Sequence, residues 1–186
     1  MKQRQFDPLK LDVEAFARDG GQLDGEWSMV DLPRLAEAAP PESPAATWPP
    51  LRWSVRGERV TPRAAEAQTW LHLEAEATVS LVCQRCLQAY AQPLAFARGL
   101  RFVRDEDLAA QLDADSDDDV LAMTRALDLR ELIEDELLLE LPLVPRHEEC
   151  PEPLVHVDDE LPEPAQDDKP NPFAALAALK GKGSKQ

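Results

Sequence analysis

The sequence predicts an α+β fold: an antiparallel β-sheet with one long central hairpin over residues 70–103, packed by helices, followed by an acidic, proline-rich linker and a short C-terminal helix. Two observations carry this. Leu71, Leu73, Ala75, Ala77, Val79, Leu81 and Cys83 alternate with His72, Glu74, Glu76, Thr78 and Ser80, the period of two that gives a strand one apolar face. Beyond Arg85 the phase inverts, because Cys86, Tyr90, Leu94, Phe96, Leu100 and Phe102 take even positions. A two-residue turn at Gln84-Arg85 accounts for the inversion, although the pair lacks the Asn or Gly that such turns favour. The second observation is a capped amphipathic helix. Asp128 and Glu131 resemble a capping box ahead of Leu129, Leu132, Ile133, Leu137 and Leu141 at helical spacing, and Pro142 ends the run.

The remaining elements follow along the chain. Residues 6–11 read as strand-like, and a short helix from Asp12 gathers Val13, Phe16 and Ala17 on one face before Gly20-Gly21 stops it. Residues 23–30 read as a strand, and Asp31 caps a helix over 32–39 that Pro40-Pro41 closes. Residues 40–50 form a Pro/Ala loop. Between the hairpin and the capped helix, the aspartates and glutamates of 105–119 predict an exposed acidic loop.

These elements divide the chain into one α+β domain at 1–145, a flexible linker at 146–170 and a docking helix at 171–180. In the linker proline and acid alternate without periodicity, which predicts disorder. The last segment is different: Asn171 can cap, Pro172 suits the first helical position, and Phe173, Leu176 and Leu179 share a face. A helix under about 12 residues is marginal alone, so this one calls for a surface to dock on.

Composition narrows function. A length of 186 residues at 44% hydrophobic suffices for one core. No stretch has the charge-then-apolar pattern of a secretory signal, and no apolar run is long enough for a bilayer, so a soluble cytoplasmic protein is expected. Against 36 Asp+Glu stand 20 Lys+Arg, a formal charge of −16. Such a chain repels polyphosphate at long range, which leaves RNA only local or indirect contact and favours a basic partner. No His-Glu-x-x-His, glycine-rich phosphate loop or Gly-x-Ser-x-Gly motif occurs, so the sequence is read as non-catalytic, with no small-molecule substrate.

Three constellations are open to more than one reading. Across a hairpin, Cys83 and Cys86 form a chelating half-site that His147 and Cys150 would complete as Cys₃His, a zinc-type ligand set. C-x-x-C is common, however, and two small residues at a turn beside a free tail cysteine is the plainer account. Arg52, Arg56, Arg59 and Arg63 form one arginine cluster and Arg98, Arg101 and Arg104 a second; either could meet RNA phosphate with Trp53 or Phe102 alongside for base stacking, and Arg85 at the tip joins the second. Arginines paired with the abundant carboxylates is the competing reading. Asp113, Asp115 and Asp117 fall at calcium-loop positions, but Asp118 replaces the required glycine and Thr124 the terminal glutamate, so calcium is set aside.

Three segments resemble the YceD family of large ribosomal RNA subunit accumulation proteins. They are Cys83-Gln84-Arg85-Cys86, the acidic helix running into Leu141-Pro142-Leu143-Val144-Pro145 with His147 and Cys150 behind, and Lys169-Pro170-Asn171-Pro172-Phe173-Ala174. The resemblance implies a bacterial ribosome biogenesis factor affecting synthesis, processing or stability of 23S rRNA, and carries no established catalytic residue or cofactor. Some relatives look richer in cysteine near the second segment, where this chain has only Cys150. The resemblance supplies the process and leaves the mechanism to physics. The first candidate is an acidic body that binds a ribosome assembly or RNA-processing protein, with Asn171, Pro172, Phe173, Leu176 and Leu179 as the docking element. The second is direct rRNA contact through Arg85, Arg98, Arg101 and Arg104; the third is a zinc-stabilised interaction protein.

Overall fold

The structure, a computed structural model, describes residues 5–151 apart from 62, 64, 65 and 117. They belong to the first of two units, Met1–Pro153; the second, Leu154–Gln186, lies outside the described residues, and with it most of the expected linker and the terminal helix.

The alternation around residue 71 becomes the middle of a five-stranded sheet. Strands β1 (Gln22–Trp27), β2 (Leu51–Val60), β3 (Gln68–Val82), β4 (Ala89–Val103) and β5 (Asp119–Ala122) lie in that order. The first four pair antiparallel, and β5 runs parallel to the end of β4, from Leu100↔Asp119 to Val103↔Ala122. The hairpin register sets Leu71 opposite Leu100, Ala75 opposite Phe96 and Ala77 opposite Leu94. All six are buried on one face. A slip of one residue would turn each of them to the other side.

Helices α1 (Val13–Arg18) and α4 (Leu129–Leu139) contribute Val13, Phe16, Leu129, Ile133 and Leu137 to the same core. Asp12 caps α1 by accepting from the Ala15 N–H, and Asp128 caps α4 by accepting from Arg130 and Glu131. Contact between α1 and β2 requires Gly57, since a Cβ there would sit 2.7 Å from Phe16 Cδ1 and 2.8 Å from Ala17 Cα. Leu11 makes a single bridge to Leu127, so the strand expected over 6–11 is reduced to that one pairing.

Two further elements differ from expectation. Helix α2 spans only Pro33–Ala36, and Asp31 instead closes a 3-10 turn at Met29–Asp31. The residue at its N-cap is Leu32, which has no side chain able to cap. Glu134, reaching over from α4, performs that role: its Oε1 accepts from the Arg34 N–H at 2.7 Å and the Leu35 N–H at 3.1 Å. Its other oxygen takes Arg34 Nε at 3.1 Å, and the whole residue is buried at 4% exposure. The stretch 105–119 is likewise no plain loop. It contains α3 (Glu106–Asp115), capped by Asp105 through the Leu108 N–H, and leads into β5. Ala109, with Leu108 and Leu112, packs on Val103 and Val120 as a second small core. The acidic residues are the exposed side of a short amphipathic helix whose apolar side is only three residues wide.

Candidate metal centre at the hairpin tip

The hairpin connection is longer than the expected two-residue turn. Strand pairing ends at Val82↔Ala89. Cys83 N–H then bonds Gln88 O at 2.9 Å, and Leu87 N–H folds back on Cys83 O at 2.8 Å. Residues 84–87 thus form a four-residue loop whose last member, Leu87, sits at φ 60. The longer loop still leaves Cys83 and Cys86 on one side of the tip, because it carries the chain through a full turn before β4 begins.

Beyond α4 the chain returns to this tip. Pro145 O accepts from Gln84 N–H at 2.8 Å, and the His147 ring lies 5.0 Å from the Tyr90 ring. These contacts deliver His147 and Cys150. The four potential ligand atoms of Cys83, Cys86, His147 and Cys150 all fall within 4.8 Å of one another, a group that could hold a metal ion. Cys83 Sγ is 3.8 Å from Cys150 Sγ, and Cys86 Sγ is 3.4 Å from His147 Nδ1. A tetrahedron with Zn–S of about 2.3 Å and Zn–N of about 2.0–2.1 Å has S···S edges of about 3.8 Å and S···N edges of about 3.6 Å. The two observed separations are close to these edges.

The surroundings favour thiolate at Cys83. Burial pushes the Cys83 thiol up, but the backbone groups of Cys86, His147 and Arg85 outweigh it and bring the group down to about 5. Two of these contacts are direct: Arg85 N–H reaches Cys83 Sγ at 3.4 Å and His147 N–H at 3.5 Å. At Cys86 the Gln88 backbone draws the thiol down, while burial and the neighbouring Cys150 and Cys83 sulfurs push it up, and the net direction is up. Sulfurs this close disfavour a second negative charge, a repulsion that a cation placed between them would relieve.

Arg85 belongs to this cluster. Its Nε donates to Cys150 Sγ at 2.9 Å and its Nη2 to Glu148 O at 3.4 Å. The Cys150 sulfur in turn raises the guanidinium's own pKa. Three thiolates, a neutral imidazole and a divalent cation sum to one negative charge, which this guanidinium offsets. Sequence reasoning placed Arg85 with the RNA-facing arginines; its place inside the C-x-x-C loop is the signal that ties it to the sulfurs instead.

The remaining arginines lie apart. Arg98 projects from β4 toward α4, with Nε 3.3 Å from Glu136 and Nη2 2.8 Å from Glu140. Arg52 pairs with Glu76 and Arg56 with Glu58, and Trp53 between them is 7% exposed. Arg101 and Arg104 are at the far end of the sheet from the tip, with Asp118 at 4.0 Å and Asp105 at 2.8 Å respectively. Among the described residues the Cys/His group is the one cluster able to hold a metal, and the aspartates after residue 112 form none. No helix among them is long and apolar enough to cross a membrane. Asn171, Pro172, Phe173, Leu176 and Leu179 lie outside the described residues.

Comparison with known proteins gives one consistent picture. A family model described as large ribosomal RNA subunit accumulation protein YceD matches residues 71–180, a span holding the hairpin, α4 and all four candidate ligands. A curated relative of that name from Haemophilus influenzae is 40% identical over 107 residues. That alignment covers 56% of this chain and 61% of the relative, so the match falls short of two thirds of the relative's length. No solved structure matches.

Proposed function

The chain belongs to the YceD family, and from that premise we propose that it is a non-catalytic ribosome biogenesis factor of the cytoplasm that sustains 23S rRNA by binding a basic protein partner. The family description supports the process. The observation that favours a protein partner over a polyanion is the disposition of charge: Arg34, Arg52, Arg56 and Arg98 are engaged by carboxylates, while acids outnumber bases 36 to 20. An excess of exposed carboxylate steers a basic protein and repels RNA. A nascent ribosomal protein or an RNA-processing enzyme has the required character, and the segment at 171–180 is the docking element. Affinity capture from growing cells, with and without ribonuclease, tests this with the full chain and with a truncation before Lys169. A basic ribosomal or processing protein should survive ribonuclease and be lost on truncation. Recovery of proteins unrelated to the ribosome would refute it.

Zinc is the metal the Cys83, Cys86, His147 and Cys150 set suits best. All four tetrahedral positions are supplied by the chain, leaving none for water, so the role is structural. The ion would tie the segment after α4 to the hairpin tip, with Arg85 supporting the Cys150 sulfur from outside the ligand shell.

A further inference from the structure

A cleft of about 530 Å³ lies at the end of the sheet opposite the candidate metal centre. It opens between the start of β3, the end of β4, α3 and the segment after β5, and four arginines line it: Arg59, Arg101, Arg104 and Arg125. Two of them, Arg59 and Arg125, are exposed, and their side chains make no hydrogen bond or ion pair among the described residues. Arg101 is more telling. Its side chain is 20% exposed, its nearest carboxylate stands 4.0 Å from Nη1, and its Nε is buried without any acceptor. Its one carboxylate lies at the limit of an ion pair, so an anion entering the cleft would strengthen the pairing of this guanidinium.

The lining also limits what that anion can be. Asp12, Glu14 and Glu66 are carboxylates lining the same cleft, the last two exposed, and Asp105 holds Arg104. Such a balance accommodates one phosphate but repels a long polyphosphate track. Beside the guanidiniums lie the partly exposed Leu108, Leu112 and Met123, an apolar wall on which a flat ring can rest. A charged fork for one phosphate next to an apolar wall fits a single nucleotide.

We propose that this cleft binds one nucleoside monophosphate unit, with its phosphate on Arg101, Arg125 and Arg59 and its base against Leu108, Leu112 and Met123. The unit can be a free mononucleotide or the phosphorylated end of an RNA, which share that chemistry. The site depends neither on the protein partner proposed above nor on the metal.

Titration of the full chain at low salt distinguishes the sources. The probes are AMP and UMP, the corresponding nucleosides, and an RNA hexamer with and without a 5′-phosphate, followed by amide shifts of residues lining the cleft. Monophosphates should bind and nucleosides should bind at least tenfold more weakly. Preference for the 5′-phosphorylated hexamer over AMP and UMP would identify an RNA end as the source, and the reverse order a free nucleotide. Arg125→Glu and Arg59→Glu change exposed side chains, so the fold should persist, and each should weaken binding at least tenfold. Absence of binding by every probe, equal binding of nucleoside and monophosphate, or unchanged affinity in both variants would overturn the proposal.

Discussion

Replacing Glu134 tests how far two distant parts of the chain depend on one carboxylate. Its Oε1 satisfies the first N–H groups of α2, where Leu32 offers no cap. Loss of an N-cap costs about 0.5–2 kcal/mol, and loss of a charge-assisted bond to the buried Leu35 N–H about 1.5–3 kcal/mol. The pairing with Arg34 adds under about 1 kcal/mol, because that guanidinium is 43% exposed and screened by water. These contributions overlap, so Glu134→Ala should destabilise the folded unit by about 2–4 kcal/mol. Glu134→Gln keeps a neutral acceptor for the two N–H groups but turns an amide toward Arg34, and should cost about half as much. Urea unfolding, followed by tryptophan fluorescence at constant zinc, measures both. A Glu134→Ala protein within about 0.5 kcal/mol of the parent, or a glutamine variant as damaged as the alanine, would refute the reasoning.

Gly57→Ala should cost about 1–3 kcal/mol in the same assay, since the added methyl meets the Ala17 backbone and the Phe16 ring; a neutral result would mean that α1 does not pack on β2 as described. Burial raises the Glu136 carboxyl more than Arg98 lowers it, so its folded pKa lies above its unfolded one. Stability from such a group is present in acid and lost as pH rises past the ordinary carboxylate range. Glu136→Gln should therefore gain stability relative to the parent between acid and neutral pH, with Arg98 still held by Glu140. A pH-independent difference between the two proteins would contradict this. Tag-free protein should carry one zinc per chain by metal analysis, and Cys150→Ser should lose most of it and melt earlier; an equally metal-poor parent would remove the metal centre.

Periodicity and capping made the β3–β4 hairpin and α4 legible in the sequence, while β2 and the parallel β5 went unread. Strict alternation over 71–83 has one interpretation, and Asp128 caps its own helix through N–H groups two and three residues away. What escaped was set by residues far apart. Nothing near Leu32 announces that Glu134 will cap α2, a contact spanning 99 to 100 positions. For α3 the difficulty was contrast: Leu108, Ala109 and Leu112 give a narrow apolar side among many acids. The Cys and His spacings flagged the tip, although the loop holding Cys83 and Cys86 needed Leu87 in a left-handed conformation that no turn-favouring residue advertises. The arginines were the least legible. Arg98 differs from Arg101 only in strand phase, and that phase sends one to the carboxylates of α4 and the other to the cleft.

The ratio of 23S to 16S rRNA in cells lacking this chain tests the account most directly. A ribosome biogenesis factor of the proposed kind should leave 23S rRNA depleted when deleted, with recovery on re-expression of the full chain and not of the truncation before Lys169. A normal ratio in the deletion strain would contradict it.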